Sequence, residues 1–437
     1  MKSVRDHIPE PLKYITAPLF RMKLIYNNEF RNYLKLLENR ESLDQGMIRE
    51  YQFMKLKEVL IYSFLYVPYY RELFDEVSFD PYKFSDFKQI EKIPFLTREL
   101  VIKNFDKLIS KKKVDNGYYN GFTGGSTGLP LKFLLDYDSI YKENAFIYHY
   151  RKKLGYNFSD EVATFRNRGL GNILWKLNPM HREIVFSNSR LSKITIKKYV
   201  DKINHLKPQY INGYISAIWY FTKLLEDHNL NLDFSLKGIF FTSENPDPEQ
   251  RKFIENFFKV KSSTFYGHSE RVVIAEEKKH DLYVFDPFYG YTEQIPSKDD
   301  EYTIVGTGFL NRKMPFIRYK TDDICVIENG YFRIEGKRNS KYGLYGINNE
   351  FLTGMAFRMN LEVFRNILTY QFIQQERGKA DMLIIVNKDF QNEDMQNIKK
   401  EIYFQTNGVI DINIKIVDNL QLTEGGKFRK CISFVGN

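Results

Sequence analysis

Between about residues 115 and 335, short apolar runs alternate with stretches of helical periodicity, and this alternation constrains the fold more than any other feature. Phe133 to Leu135, Gln209 to Ile211, Gly238 to Thr242 and Ser263 to Tyr266 read as strands. Leu191 to Leu206, Ser216 to Asp227 and Pro248 to Phe258 read as the helices between them. The pattern favours an α/β sheet. Ahead of it, residues 1 to about 110 read as helical, with apolar positions at helical spacing in Glu50 to Tyr66. Val67-Pro68-Tyr69-Tyr70 predicts an extended break there, because the residue before a proline avoids the helical region.

A chain of 437 residues has room for one large domain and a smaller one. After Ile334, the segment Glu335-Gly336-Lys337-Arg338-Asn339-Ser340-Lys341 is polar and lacks apolar periodicity, as a hinge does. The expected division is a large N-terminal domain over 1–335, a hinge at 336–340 and a small α+β domain over 341–437. In that small domain Met382 to Val386 and Ile410 to Val417 read as strands, and Asn392 to Phe404 as a helix. Thr423 to Arg429 reads as a flexible loop carrying cations, and no internal repeat is evident.

Composition narrows the function classes. With 43% hydrophobic and 27% charged residues the chain is globular rather than disordered. Cys325 and Cys431 are too few for a disulfide framework or a Cys-rich zinc site, so a reduced cytoplasm is the expected compartment. The longest apolar stretch, Val59 to Tyr70, contains Ser63 and Pro68 and falls short of the roughly 20 residues that span a bilayer. No transmembrane helix is expected, and Pro9, Pro11 and Pro18 argue against a secretory signal. The net charge of +10 admits nucleic acid, a membrane surface or a phosphorylated small molecule as partner. The excess reads as dispersed, with Lys111 to Lys113 the clearest run and a solvated turn its simplest explanation. Aromatic residues lie in core-like segments rather than among Arg and Gly, so nucleic acid is not an expected partner.

The strongest local signal is Phe122-Thr123-Gly124-Gly125-Ser126-Thr127-Gly128-Leu129-Pro130. Its glycines let backbone N–H groups approach a ligand and its hydroxyls add donors, a composition suited to triphosphate oxygens. It is neither a Walker loop, which needs Gly-Lys-Ser/Thr opening a helix, nor a dinucleotide Gly-x-Gly-x-x-Gly. It does contain Gly-x-Ser-x-Gly, which places Ser126 as a hydrolase nucleophile. That elbow runs from strand into helix, whereas Pro130 and the strand-like Leu131 to Leu135 follow here. Without further signals, a Gly-rich surface hairpin is the simplest reading.

Further segments follow in a fixed order. They are Val67-Pro68-Tyr69-Tyr70-Arg71, Ile93-Pro94-Phe95-Leu96-Thr97-Arg98, Asn212-Gly213-Tyr214 and Phe241-Thr242-Ser243-Glu244. After them come Phe265-Tyr266-Gly267-His268-Ser269-Glu270, Gly306 to Arg312, Pro315 to Asp323, and Gly425-Gly426-Lys427-Phe428-Arg429. Together they resemble the adenylate-forming, acyl-CoA synthetase-like superfamily, and within it the phenylacetate-CoA ligase branch that includes the capsule-biosynthesis CapK proteins. The resemblance covers nearly the whole chain. It implies a large adenylate-forming N-terminal domain with a helical start and mixed sheets, and a small mobile C-terminal domain.

The resemblance also assigns roles. Thr123, Gly124, Gly125, Ser126, Thr127 and Gly128 would hold ATP phosphates, Ser243 and Glu244 would meet the adenine edge, and Tyr266 would lie on adenine within the Tyr266-Gly267-His268-Ser269 segment. Glu270 would hold Mg²⁺, a task suited to a carboxylate beside phosphates. Asp323 would grip the ribose hydroxyls with its two coplanar acceptors, and Lys337 would contact the ribose. Asn212, Gly213 and Tyr214 would line the acyl pocket, with Arg166 near an anionic substrate group; Arg166, Asn167 and Arg168 equally suit a sheet-edge cap. Lys427 would reach the α-phosphate as the catalytic cation. The sequence departs from the pattern at Ser269, where the family has Thr; at Asp322, for Gly; at Lys337, for Arg; and at Ser340, for the pivot Asp.

The implied reaction is adenylation of a small carboxylic acid with ATP and Mg²⁺, releasing pyrophosphate, and then transfer to an acceptor. In the favoured reading the acceptor is a sugar amine, hydroxyl or carrier in surface-polysaccharide synthesis. The alternatives are an aryl- or acyl-CoA ligase using CoA, a nucleotide-binding homologue without turnover, and distantly the Ser126 hydrolase.

Overall fold

The computed structural model describes residues 12, 22, 25–122, 131–166, 173–188, 190–297, 300–335, 343–347, 351–353, 362–406, 408–422 and 431–435. The chain divides into two compact units, Met1–Asn157 with Ser263–Glu335, and Phe158–Ser262 with Gly336–Asn437.

Among the described residues, the first unit contains in chain order the helices Asn28–Asn39, Gln45–Tyr66 and Pro68–Glu76. Asn27 and Asp44 cap the first two, their side chains accepting from the N–H groups of Phe30 and Met47 at 3.1 and 2.8 Å. The expected extended break shrinks to Val67 alone. Pro68 takes the first position of the next helix, where its missing N–H costs nothing, so Tyr69 and Tyr70 are helical.

From Phe265 onward the strand–helix alternation expected to continue to 335 stops, and seven strands form one antiparallel sheet. Their spatial order is Gly290–Pro296, Glu301–Gly308, Tyr319–Glu328, Tyr331–Glu335, Leu282–Phe285, Ile274–Lys279, Phe265–Gly267. The described connections between these strands contain no helix. At Asn329-Gly330 both residues have positive φ, 51° and 80°, as a two-residue hairpin of the primed type requires. The expected strand Ser263 to Tyr266 is split, Ser262–Ser263 and Phe265–Gly267 belonging to different sheets. One apolar core joins Leu56, Val59 and Leu60 of the second helix to Phe133, Ile304, Ile317 and Cys325.

The second unit contains the expected α/β sheet, ordered Trp175–Asn178, Glu183–Phe186, Val162–Phe165, Tyr210–Gly213, Gly238–Phe241, Ser262–Ser263. The first pairing is antiparallel and the next three are parallel. Its helices are Ile196–Leu206, Ile215–Asp227 and Pro248–Phe258. The first starts five residues later than Leu191, since 191–195 form turns held by the Thr195 hydroxyl, which donates to the Arg190 carbonyl at 2.6 Å.

The same unit holds a four-stranded sheet ordered Asp411–Ile416, Lys379–Val386, Ile367–Glu376, Cys431–Ser433. The helix Asn392–Gln405 buries Ile398 and Ile402 in one cluster with Met382, Ile384 and Ile414. Both cysteines are buried and free, and burial pushes the Cys431 thiol up to about 12.

Candidate active site

The strands Tyr118–Phe122 and Lys132–Asp136 pair antiparallel, with Phe122 opposite Lys132, so the Gly/Ser/Thr segment connects the arms of a hairpin. Residues 123–130 themselves lie outside the described residues. A strand rather than a helix follows them, which removes the strand-to-helix turn that the Ser126 hydrolase reading needs. Asn311 fixes this hairpin to the Gly306 to Arg312 segment. Its Oδ1 accepts from the Asp136 N–H at 3.1 Å, and its Nδ2 donates to the Leu134 and Met314 carbonyls at 2.8 and 2.9 Å.

Across the large sheet three motif residues converge. The Tyr266 hydroxyl donates to Asp323 Oδ2 at 2.9 Å, and His268 Nε2 lies 3.1 Å from the same oxygen while contacting the Tyr266 hydroxyl. His268 and Asp323 are buried, and Tyr266 is half-buried. The Thr321 hydroxyl donates to the Ile304 carbonyl at 2.7 Å and accepts from the Asp323 N–H at 3.2 Å, which fixes the Asp323 backbone. Glu270 is half-buried, and its Oε1 accepts from the Tyr319 hydroxyl at 3.3 Å.

Gly306 and Gly308 have a packing reason. A Cβ at Gly308 would stand 2.4 Å from the Arg271 carbonyl, and one at Gly306 the same distance from the Val273 side chain. The chain leaving Glu270 can therefore lie directly on this strand.

The two N-terminal motifs, whose sequence reading stopped at resemblance, hold the strand entrance. Tyr70 OH donates to the Pro315 carbonyl at 3.2 Å and accepts from the Ile317 N–H at 2.9 Å. Leu96 pairs with the chain around Tyr319, its N–H on the Arg318 carbonyl and its carbonyl receiving the Lys320 N–H. Arg318, with φ 50°, makes a two-pronged ion pair with Glu293 at 2.6 and 3.0 Å, donates to the carbonyls of Glu91 and Ile93, and lies over the Phe95 ring. Arg318 is buried, and its guanidinium is committed to holding this entrance.

In the second unit the candidates Arg166, Asn212, Gly213, Tyr214, Ser243 and Glu244 gather at one edge of the α/β sheet. Phe165, Gly213 and Phe241 stand in register at the carboxyl ends of three neighbouring parallel strands. The residues just beyond them, Arg166, Tyr214 and Thr242-Ser243-Glu244, therefore line up where open α/β sheets bind ligands. Gly213 allows this closeness, since a Cβ there would meet the Phe165 carbonyl at 2.8 Å. Buried Asn212 donates to the Thr164 hydroxyl at 3.3 Å, and exposed Ser243 has φ 64°. Arg166 pairs with Glu183 at 2.9 Å, a contact that also serves the sheet edge.

Residues 344–433 match the family described as CapK C-terminal domain. The chain is 24% identical over 361 residues to Protein CapK of Staphylococcus aureus, covering 79% of this chain and 80% of that one. A structure of 2-hydroxyisobutyryl-CoA ligase in the postadenylation state with R3-HIB-AMP superposes with a TM-score of 0.68 at 16% identity, over 91% of this chain and 92% of that one. The fold is that of an adenylate-forming ligase. The same ligase in its thioesterification state, with 2-HIB-AMP and CoA, superposes with a TM-score of 0.57 at 16% identity and 91% coverage of each chain.

Within this adenylate-forming fold, Lys337, Ser340 and Lys427 lie outside the described residues, as do Asn167, Arg168 and the side chain of Asp322. Among the described residues no three His, Cys, Asp or Glu side chains gather as a metal cage. A single carboxylate such as Glu270 nonetheless fits Mg²⁺ at a nucleotide, because Mg²⁺ takes one or two carboxylates and fills its shell with phosphate and water oxygens.

Proposed function

We propose that this protein activates a small carboxylic acid as its acyl-adenylate and passes the acyl group to an acceptor in surface-polysaccharide synthesis. In the first step a carboxylate oxygen of the acid bonds to the α-phosphorus of ATP. The bond from that phosphorus to the bridging oxygen breaks, and pyrophosphate leaves with the electron pair. Tyr266 would support adenine, Asp323 would accept from the ribose hydroxyls, and the 123–128 segment would donate to the phosphates. Glu270 would hold Mg²⁺, which offsets phosphate charge when bound. Lys427 would approach the α-phosphate through motion of the domain 341–437 about 336–340, supplying its cation during adenylation and withdrawing afterwards.

The observation that carries the reading is the convergence of Tyr266, His268 and Asp323, which brings the adenine and ribose candidates into direct hydrogen bonding. The likeness to a CoA ligase favours a second reading with CoA as acceptor. Against it stand Lys337 and Ser340, which replace the family's Arg and Asp at the hinge. Pyrophosphate release with a panel of carboxylic acids tests the first step. Mass spectrometry for a thioester after adding CoA decides between the acceptors.

A further inference from the structure

The positive charge is more concentrated than the sequence reading allowed. Residues 190–207 carry six cations, Arg190, Lys193, Lys197, Lys198, Lys202 and Lys207, against one acid, Asp201, a net +5 and half of the chain's +10. The helix Ile196–Leu206 explains why. It turns Ile196, Tyr199, Val200 and Ile203 into the core, which leaves Lys197 and Lys198 on the opposite, exposed face, with Lys193 exposed just ahead of the helix. None of these three forms an ion pair among the described residues. The acids nearby are Asp201 on the same helix, Asp233, which takes Lys207 at 3.5 Å, and Asp227, whose carboxyl feels Lys193.

Amid these lysines stands Ile194, 86% exposed. A second exposed isoleucine, Ile173 at 48%, precedes Trp175, whose ring packs against Tyr199 of the helix and lies under the Lys202 ammonium. The three cations that form no ion pair among the described residues are lysines, whose ammonium groups meet phosphate as point charges and do not stack on bases as a guanidinium plane does. Lysines surrounding an exposed aliphatic side chain suit an anionic lipid surface. The ammonium groups meet headgroups while the aliphatic group enters the interfacial layer.

We propose that this face, centred on Ile194 and Lys193, Lys197 and Lys198, docks the protein reversibly on an anionic membrane surface. No helix among the described residues is long and apolar enough to cross a membrane. The proposal stands on charge and exposure and is independent of the adenylation reading.

Cosedimentation of the full chain with vesicles of phosphatidylcholine, alone or mixed with phosphatidylglycerol, tests it. The wild type should partition onto the anionic vesicles about tenfold more strongly than onto neutral ones and come off as salt rises. Charge reversal at Lys193→Glu, Lys197→Glu and Lys198→Glu together should abolish this binding. Ile194→Ser should weaken it severalfold at unchanged charge, and, lying outside the core, it should leave the melting midpoint in place. Equal binding to both vesicle types, retention by the triple variant, or binding to duplex DNA or RNA with none to vesicles would overturn the proposal.

Discussion

The Tyr266 hydroxyl donates to Asp323 Oδ2 at 2.9 Å, joining two motifs 57 positions apart. The bond holds one oxygen of the buried Asp323 carboxylate, and His268 Nε2 lies 3.1 Å from the same oxygen. Tyr266→Phe keeps the ring and removes this bond, a loss of about 1 kcal/mol or roughly fivefold in ATP affinity by calorimetry. Tyr266→Ala, which also removes the ring proposed to support adenine, should bind more weakly still; unchanged binding by Tyr266→Ala would remove this tyrosine from the proposed nucleotide site.

Arg318 should matter for stability rather than for phosphate charge. Arg318→Met leaves Glu293 buried beside an apolar chain and empties the carbonyls of Glu91 and Ile93, a change expected to cost about 3–5 kcal/mol. Urea unfolding measures it. A variant as stable as wild type would contradict this structural role.

The readable parts of this fold were those where local pattern and tertiary role agree. Pro248 to Phe258 is a helix to the residue, since Asp247 caps it, Pro248 starts it and its apolar positions recur at helical spacing. The large antiparallel sheet was harder to see. Its strands are irregular in alternation, and the hairpin signal at Asn329-Gly330 is the local mark that would have found it. Of the site, Tyr266, Glu270 and Asp323 carried sequence motifs. The hydrogen bonds of Tyr70 to Pro315 and Ile317, of Leu96 to Arg318 and Lys320, and of Arg318 to the carbonyls of Glu91 and Ile93 use backbone atoms more than 200 positions away, and sequence spacing does not encode them.

Glu58 supplies a pH-dependent contribution. Burial favours its neutral form, but the hydrogen bond from Lys55 and the charges of Arg312, Lys55 and Lys142 outweigh it and hold the carboxyl below its usual range. A carboxyl depressed in the folded state stabilises above its unfolded value and loses that stabilisation as pH falls through its folded value. The melting-temperature gap between wild type and Glu58→Gln should therefore be largest near neutral pH and close below about pH 4. A gap that widens on acidification would contradict the sign.

In the proposed reaction Lys427 would separate binding from chemistry. Lys427→Ala should leave ATP affinity within about twofold while removing pyrophosphate release, because a cation needed only as charge develops on the phosphates contributes to the transition state rather than to the ground state. An active Lys427→Ala protein would mean that another cation neutralises the α-phosphate.

The most direct test of the central claim is acid-dependent exchange of labelled pyrophosphate into ATP, run over a panel of small carboxylic acids with Mg²⁺ and without any acceptor. Adenylation predicts that at least one acid supports exchange, that omitting Mg²⁺ stops it, and that Lys427→Ala and Asp323→Ala lose it. ATP binding by calorimetry with no exchange for any acid would contradict the account and leave a nucleotide-binding protein without turnover.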